Sequence, residues 1–270
     1  MFYGPHGSGK TLLAGTAADA PGMGDVIVID AEGGKDTLHD SDRIEHKDRI
    51  TVVRVQDYES VAHVHDWLKA HCKARDANDE LLLKKLESVH TGVPVAEIEQ
   101  PRKYRTVVLD SLSEIEGYST YKVLGIDTDD LFQDDMPVSG WPEFRKNLES
   151  VKLMCRAFRD LPMHKIFTAS ESYKQDQTKR MNYQPFLTGQ LATSVIGMMS
   201  MVGYLVVDAP KMGKNSVMED APRRLFVQPV TGMGPFFKAK NRYSKFKGAF
   251  FDDPNMTEIM EAIGLSSPSS

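Results

Sequence analysis

The sequence predicts an α/β fold with a mostly parallel central sheet, flanked by helices and completed by late antiparallel strands. Short, nearly continuous apolar segments alternate with helical patterns along most of the chain, which is typical of strands covered on both faces. Several of these segments end in glycine or acidic residues, at the edge where open α/β sheets gather their ligand-binding groups. A phosphate-binding motif follows the first of them. Together these observations favour a doubly wound core.

Composition places few further limits on the protein. The chain has 270 residues, 41% of them hydrophobic and 26% charged, with a formal net charge of −5. We predict one domain over residues 1–264, a helical, charge-rich insertion at 69–103 and a flexible tail at 265–270. Neither a signal peptide nor an apolar run of about 18 residues is found, so we expect a cytoplasmic protein with no membrane partner. Cys72 and Cys155 are expected to be unpaired thiols in a reducing compartment.

The most informative segment lies within the first eleven residues and fits the pattern G-x-x-x-x-G-K-[ST]. It is predicted to cradle nucleotide phosphates with Gly4, Pro5, His6, Gly7, Ser8, Gly9, Lys10 and Thr11. The glycines let successive backbone N–H groups point inward, Lys10 supplies positive charge, and the Thr11 hydroxyl is placed to bind Mg²⁺. The alternative is a glycine-rich turn that matches by chance. Only Met1–Tyr3 remains for the preceding strand, so that strand is very short or the native chain starts upstream.

The remaining elements follow from apolar periodicity and from turn residues. A long irregular acidic segment is expected after Asp110, and a polar loop is expected from Glu171 to Thr188. The predicted helices are residues 11–18, a stretch beginning at 57, 141–161, 190–199 and 256–263. The predicted strands are residues 1–3, 25–30, 51–55, 104–110, 165–170 and 203–208, with late antiparallel strands at 223–229 and 234–240.

Two carboxylates stand where strands end. Asp110 follows four apolar or β-branched residues, and a carboxylate there would hold Mg²⁺ beside Thr11; the alternative is an aspartate that caps a turn. Glu32 follows the strand that ends at Asp30, where it can orient or deprotonate an attacking water. Asp30 is the alternative base, and a surface glutamate in a glycine turn is the alternative reading of Glu32.

The late part of the chain is strongly basic. Between Ala221 and Phe251 there is no acidic residue. The cations there are Arg223, Arg224, Lys238, Lys240, Arg242, Lys245 and Lys247, interleaved with Phe226, Phe236, Phe237, Tyr243 and Phe246. Cations mixed with aromatic rings suit nucleic-acid phosphates and stacked bases. The alternatives are contact with a neighbouring subunit's nucleotide and a plain exposed basic hairpin. A smaller basic and aromatic group consists of Tyr173, Lys174, Lys179, Arg180 and Tyr183.

The order of GPHGSGKT, VIVIDAEGG, TVVLDS, KIFTAS and FFKAKNR resembles the RecA/RadA recombinase ATPase core. The chain is most similar to the core-only, AAA-type ATP-binding proteins carried by phages, which act in single-strand annealing and recombination. The resemblance implies a RecA-like P-loop NTPase with ATP and Mg²⁺ as cofactors. It implies catalysis by Lys10 and Glu32, and Mg²⁺ coordination by Thr11 and Asp110. A phage-encoded protein of this kind would act in the bacterial host cytoplasm.

The same resemblance implies contacts beyond the phosphate loop. DNA binding would fall on the segment after KIFTAS, with Tyr173, Lys174, Lys179 and Arg180 as candidates. Lys238, Lys240 and Arg242 would act across a subunit interface in a homo-oligomeric ring or filament with ATP between subunits. Single-stranded DNA is the expected partner, and a single-stranded DNA-binding protein is a further candidate. Ser170 stands near the nucleotide, followed by Glu171, where the family carries a polar amide.

Three other functions remain open at this point. The chain can be a P-loop ATPase of another class, such as a helicase-like motor or a loader. It can be a nucleotide or small-molecule kinase, although a kinase calls for an arginine-rich lid and an acceptor pocket. It can also be a nucleotide-binding scaffold that does not hydrolyse its ligand.

Overall fold

The computed structural model describes residues 1–126, 137–175, 179–207, 222–229 and 236–265. The acidic segment with Asp127, Asp129, Asp130, Asp134 and Asp135 lies outside these residues, as does most of the predicted tail. The predicted domain limits and the separate status of the 69–103 insertion stay predictions. In the part of the chain that is described, no helix combines the length and the apolar character needed to cross a membrane.

Strands and helices alternate along the chain. In the described ranges the strands are β1 (Phe2–Gly4), β2 (Val26–Asp30), β3 (Ile50–Arg54), β4 (Thr106–Asp110), β5 (His164–Gln175), β6 (Met181–Pro185), β7 (Met201–Val207), β8 (Arg223–Phe226), β9 (Phe236–Phe237), β10 (Lys240–Asn241) and β11 (Phe250–Asp252). The helices are α1 (Lys10–Gly15), α2 (Lys35–Asp40), α3 (Tyr58–Asp76), α4 (Glu80–Thr91), α5 (Leu112–Leu124), α6 (Trp141–Arg159), α7 (Leu191–Met198) and α8 (Met256–Ile263).

The central sheet is mostly parallel and has the order β11-β8-β7-β1-β5-β4-β2-β3. Strands β7, β1, β5, β4, β2 and β3 run parallel to one another, whereas β8 and β11 add antiparallel pairs at one edge. β5 lies between β1, which leads into the phosphate loop, and β4, which ends at Asp110. The predicted fold class is confirmed.

Hydrophobic cores cover both faces of the sheet. Ile27 and Ile29 point into a core shared with α3, α5, α6 and α7, while Val26 and Val28 point into a core shared with α1, α2 and α8. Alternate residues of one strand therefore enter different cores, and the whole strand must be apolar. This explains why the strands stand out in the sequence as continuous apolar segments.

The two cysteines lie in the core on the side of α3 and α6. Cys72 and Cys155 are buried, unpaired thiols, as expected. Burial raises the pKa of Cys155 to about 12, so its thiol stays protonated at neutral pH.

Two regions expected to be irregular are ordered. The segment after Asp110 forms α5, which buries Leu112 and Ile115 and ends at Gly125 in a left-handed conformation. Its mixed composition and low amphipathicity concealed it. The polar loop expected from Glu171 was also wrong, because β5 continues to Gln175 and forms an antiparallel hairpin with β6. The backbone pairing of this hairpin does not depend on apolar side chains.

The late strands differ in one respect from the prediction. β8 pairs antiparallel with β7, and β10 also pairs antiparallel with β7, as expected. The two-residue β9 instead runs parallel to β6 of the hairpin. The segment predicted as one antiparallel strand at 234–240 therefore joins the hairpin to the central sheet.

The end of β1 lies unusually close to its neighbour β7. A Cβ atom added to Gly4 would lie 2.1 Å from the carbonyl oxygen of Leu205, far inside van der Waals contact. Because the obstacle is backbone, neither partner can rotate away. A glycine is therefore required where the first strand enters the phosphate loop.

We predict that Gly4→Ala destabilises the fold by about 1–3 kcal/mol, because β1 must move away from β7. Denaturant unfolding of the chain measures the change. Gly117→Ala is the matched control: this glycine lies in α5, nothing stands within 4 Å of an added Cβ, and we expect stabilisation of up to about 1 kcal/mol. Equal unfolding free energies for Gly4→Ala and the wild type would contradict the close approach.

Candidate nucleotide-binding site

The predicted nucleotide-binding residues meet at one edge of the sheet. Gly4 at the end of β1 pairs with Ser170 in β5, and Asp30 at the end of β2 pairs with Asp110 at the end of β4. The phosphate loop, the loop that carries Glu32 and the Asp110 carboxylate therefore follow adjacent strands of a parallel sheet. This is the edge at which open α/β folds bind ligands.

The phosphate loop has the backbone that the glycines predicted. Gly7 and Gly9 have φ angles of +76° and +89°, which favour glycine. Lys10 is only 7% exposed, and its Nζ donates hydrogen bonds to the carbonyl oxygens of Gly4 (3.1 Å) and Pro5 (2.9 Å). The lysine is thus folded back into the loop and bound to neutral acceptors.

Burial lowers the pKa of Lys10, and the negative charges of Glu32, Asp110 and Glu171 oppose that change. In the described part of the chain, no carboxylate forms a direct ion pair with this lysine. A buried cation without a direct counter-ion is costly. An anion bound in the loop would supply the missing partner, which is the role that the motif predicts.

Thr11 and Asp110, the two predicted Mg²⁺ ligands, are in direct contact. The Thr11 hydroxyl donates a hydrogen bond of 2.6 Å to Oδ2 of Asp110, and the Thr168 hydroxyl donates to Oδ1. Burial raises the pKa of Asp110, with smaller contributions from the nearby carboxylates. A Cβ atom on Gly34 would lie within 3.8 Å of both predicted ligand oxygens, so this glycine leaves the space beside them open.

These ligands fit Mg²⁺ bound together with a nucleotide. A hydroxyl and a carboxylate are hard oxygen donors, and Mg²⁺ typically takes one or two protein ligands and completes its shell with phosphate and water. Among the described residues, no group of three or more histidine, cysteine, aspartate or glutamate side chains could hold a metal alone. These two protein oxygens therefore fit a Mg²⁺ ion that is also coordinated by nucleotide phosphates.

Asp30 has a structural role in the loop after β2. Its Oδ1 accepts hydrogen bonds from the backbone N–H groups of Gly33 (2.6 Å) and Gly34 (3.1 Å), and Nη1 of Arg54 lies 3.4 Å away. These contacts hold the loop after β2 in place through the Asp30 carboxylate. Glu32 and Asp30 both stay candidates for the residue that acts on water.

The backbone on both sides of Glu32 is anchored. The N–H group of Ala31 donates to the carbonyl oxygen of Asp110 (2.7 Å), and the Tyr118 hydroxyl donates to the carbonyl oxygen of Ala31 (3.0 Å). The Glu32 side chain is exposed. Its negative charge opposes the lowering of the Lys10 pKa by burial and adds to the raised pKa of Asp110. Glu32 thus stands within electrostatic range of the residues that would hold phosphate and Mg²⁺.

Ser170 lies beside the phosphate loop but is mostly buried, and its backbone N–H donates to the Ser113 hydroxyl (3.1 Å). The next residue, Glu171, accepts a hydrogen bond from the Tyr204 hydroxyl (2.7 Å) and acts electrostatically on Lys10. A charged group therefore follows Ser170, within β5, at the position where the resemblance leads us to expect a polar amide.

The four candidate DNA-binding residues lie on the β5–β6 hairpin, which extends from the sheet directly after Ser170. Tyr173 is 62% exposed, and Lys174 and Lys179 are exposed as well. The Arg180 guanidinium lies 5.1 Å from the centre of the Phe236 ring. The hairpin thus presents exposed cations and an exposed aromatic ring on a continuation of β5, the strand that pairs with the entrance to the phosphate loop.

The three late cations that were candidates for catalysis lie against α7. Lys240 Nζ donates to the carbonyl oxygens of Ile196 and Gly197 (both 2.8 Å), and Arg242 Nη2 donates to that of Gly197 (3.0 Å). Cations commonly satisfy the last carbonyls of a helix in this way. Lys238 makes only a long, exposed contact of 3.4 Å with the Thr193 hydroxyl. Sequence alone did not indicate this structural use of Lys240 and Arg242.

Most aromatic rings of the late basic segment are packed. Phe226 and Phe237 pack against the core, and Phe237 stacks on Tyr204 at 5.4 Å. Tyr243 and Phe246 pack against the core on the other face of the sheet. These four residues are partly buried, and Phe236, at 41% exposed, is the most exposed of the five aromatic residues.

The sequence analysis did not assign two residues to the site. Thr168 contacts Asp110 because β5 is the neighbour of β4, and Arg223 packs against Gly9 because β8 lies near β1 in the sheet order. Thr168 was given no role beyond its place in a predicted strand, and Arg223 was counted only as one cation of the late basic segment. Their contribution depends on strand order, which a single sequence does not reveal.

Comparison with known families and proteins gives one match. A family model described as an AAA domain matches residues 1–243, a range that includes the phosphate loop, Glu32, Asp110 and the hairpin. A search of curated proteins finds no match.

We predict that Asp110→Asn keeps the fold but loses Mg²⁺-dependent stabilisation by nucleotide. The neutral amide avoids the cost of a buried charge, so the ligand-free variant should melt at the wild-type temperature or above. Mg²⁺ and ATP at about 100 times the dissociation constant should add about 2.7 kcal/mol to the wild type and much less to the variant. Thermal unfolding with and without Mg²⁺ measures this.

The control for this experiment is Asp66→Asn, which changes an aspartate whose side chain is 80% exposed on α3. It should respond to Mg²⁺ and ATP as the wild type does. If Mg²⁺ and ATP stabilise Asp110→Asn as much as they stabilise the wild type, the assignment of Asp110 as a metal ligand is wrong.

Proposed function

Because this chain belongs to the AAA domain family and has the fold of a P-loop ATPase, we propose that it is a Mg²⁺-dependent ATPase that acts with single-stranded DNA. The process we propose is homologous recombination or single-strand annealing of the phage type. The observation that carries the ATPase assignment is the direct contact of Thr11 with Asp110 beside the buried Lys10. The DNA-dependent part rests on the hairpin.

Each residue of the site has a distinct task in hydrolysis. The phosphate loop binds the phosphates through its N–H groups, and Lys10 exchanges its two carbonyl partners for phosphate oxygens. Thr11 and Asp110 would hold Mg²⁺, and the ion would supply positive charge beside the phosphates. Glu32, on its anchored loop, orients the attacking water and takes up its proton. Gly34 keeps the space beside the metal ligands free.

The hairpin supports single-stranded DNA as the partner. Lys174, Lys179 and Arg180 supply charge for the phosphate backbone, and Tyr173 and Phe236 offer exposed rings for bases. The hairpin is also continuous with β5, whose Ser170 pairs with Gly4 at the entrance to the phosphate loop. A change in the loop on nucleotide binding can therefore reach the DNA-binding residues along one strand.

We further propose that the protein works as a homo-oligomer, a ring or a filament, with ATP at the interface between subunits. Of the three late cations, Lys238 is the best candidate to reach the nucleotide of a neighbouring subunit. Lys240 and Arg242 are already bound to α7 carbonyl oxygens. Within the described residues, the side chain of Lys238 makes a single hydrogen bond, which is long and exposed. A single-stranded DNA-binding protein remains a candidate further partner.

We predict that ATP turnover requires Mg²⁺ and rises when single-stranded DNA is added. Lys10→Ala should abolish turnover together with tight nucleotide binding. Glu32→Gln should keep nucleotide binding and lower kcat by about 10²–10⁴, because only proton transfer from water is lost. A phosphate-release assay with and without DNA, combined with nucleotide binding measured separately, distinguishes these effects.

The outcomes separate the candidate functions. Turnover that is insensitive to DNA would favour an AAA ATPase of another class, such as a motor or loader. Phosphate transfer to a small acceptor would favour a kinase. Nucleotide binding with no turnover in the wild type would favour a scaffold and contradict the proposed ATPase.

A separate prediction concerns the salt dependence of DNA binding. The triple variant Lys174→Ala, Lys179→Ala and Arg180→Ala should bind single-stranded DNA more weakly. The slope of log affinity against log salt should become less steep by about 2, since each phosphate contact contributes about 0.7. Fluorescence anisotropy across a salt series measures the slope.

The matched control removes three exposed cations from other surfaces, with the substitutions Lys73→Ala, Lys85→Ala and Arg145→Ala. Both variants change the net charge equally. The same loss of affinity in both would show a general charge effect rather than contact at the hairpin.

A further inference from the structure

A groove of about 240 Å³ lies on the outer side of the phosphate loop, between α1 and the end of the β11–α8 connection. Its apolar part is formed by Leu12 and Leu13 of α1 and by Leu205 of β7. Arg223, at the start of β8, lines it next to Gly9 of the loop. The groove is therefore lined by Gly9 of the phosphate loop and by the α1 residues that follow the loop.

The Arg223 side chain is in close contact with the loop. A Cβ atom on Gly9 would lie 2.7 Å from Nε of Arg223 and 3.2 Å from its Cδ. The Nε atom is buried, and no described residue forms a hydrogen bond with it. A buried donor without a partner costs about 1–3 kcal/mol. Packing alone therefore does not explain why this arginine lies against a glycine of the phosphate loop.

The next residue along the strand has a different environment. The Arg224 side chain pairs with Asp252 at 2.7 Å, and its guanidinium lies 4.8 Å from the centre of the Phe250 ring. Since successive residues of a strand point to opposite faces, Arg224 faces away from the loop. Two adjacent arginines thus differ in the one respect that matters, contact with the phosphate loop.

The rim of the groove is built around Arg223 as well. The Arg223 carbonyl oxygen accepts a hydrogen bond of 2.6 Å from the N–H group of Asp253. Asp253 has a φ of +44°, and its carboxylate forms a bidentate pair with Arg43 at 2.8 and 2.9 Å. This pair joins the segment after α2 to the segment before α8 across the groove. Both partners of this ion pair line the groove.

We propose that Arg223 binds the phosphate chain of the nucleotide held by its own subunit, and that the groove beside it takes the nucleoside. This inference rests on the proposed nucleotide site and adds a second cation to it. Lys10 acts from inside the loop and Arg223 from its outer side. A planar guanidinium donates several hydrogen bonds to phosphate oxygens in a fixed geometry, which a lysine cannot reproduce.

The test compares ADP binding without Mg²⁺ in four proteins by titration calorimetry. Arg223→Ala should weaken ADP binding about tenfold to a hundredfold, the loss typical of a hydrogen bond to a charged group. Arg223→Gln, which keeps much of the packing on Gly9, should also lose affinity. Arg224→Ala should bind ADP within about twofold of the wild type. Adenosine, which has no phosphate, should compete equally with a fluorescent nucleotide on the wild type and on Arg223→Gln.

The outcomes distinguish this inference from the proposed function. If the wild type binds ADP, Lys10→Ala does not, and both Arg223 variants bind as the wild type does, the role of Arg223 is overturned and the nucleotide site stands. Equal losses in Arg223→Gln and Arg224→Ala would also overturn it. If the wild type and Lys10→Ala bind ADP equally poorly, the nucleotide site itself fails. Matching melting temperatures confirm that each variant is folded, and Arg223→Gln decides the question if Arg223→Ala does not fold.

Discussion

The hydrogen bond between Thr11 and Asp110 connects the phosphate loop to the acidic end of β4. The order of the strands in the central sheet makes this bond possible. Thr11 follows β1, and Asp110 ends β4, two strands away across β5. The bond forms only because parallel strands in this order end at the same edge of the sheet. The same edge positions Thr168 on the other carboxylate oxygen and the Glu32 loop on the carbonyl oxygen of Asp110. The order of the strands thus brings together the residues for which we propose phosphate binding, metal binding and activation of water.

Burial has opposite effects on the two central charges. It lowers the pKa of Lys10 and raises the pKa of Asp110, so each group is less easily charged than in water. Phosphate oxygens beside Lys10 and a divalent cation beside Asp110 would relieve both costs at once. Ligand binding should therefore stabilise the fold strongly. The proposed nucleotide and Mg²⁺ would therefore relieve the two costs together.

The basic residues, which looked alike in the sequence, have different roles in the structure. Lys240 and Arg242 satisfy the last carbonyl oxygens of α7, and Arg224 pairs with Asp252. Arg223 contacts the phosphate loop, and the cations of the hairpin remain exposed. A cluster of cations in a sequence therefore does not by itself indicate a nucleic-acid surface. Burial and partners decide which charges can reach a ligand.

The sequence by itself determined the elements whose signal is local. The glycines, lysine and threonine from Gly4 to Thr11 identify the phosphate loop, because the motif depends only on neighbouring residues. The apolar strands that end in Asp110 and near Glu32 locate the acidic groups, because both faces of the sheet are buried. Local patterns did not reveal α5 or the β5–β6 hairpin, since the first has weak amphipathicity and the second is held by backbone pairing between polar residues. Tertiary structure alone decided that Thr168 contacts Asp110, that Asp30 anchors its loop and that Arg223 lies against Gly9. Some of these contacts join residues that are distant in sequence, and the others depend on how a loop closes. They are decided by the order and register of the strands, and patterns of neighbouring residues carry no information about either.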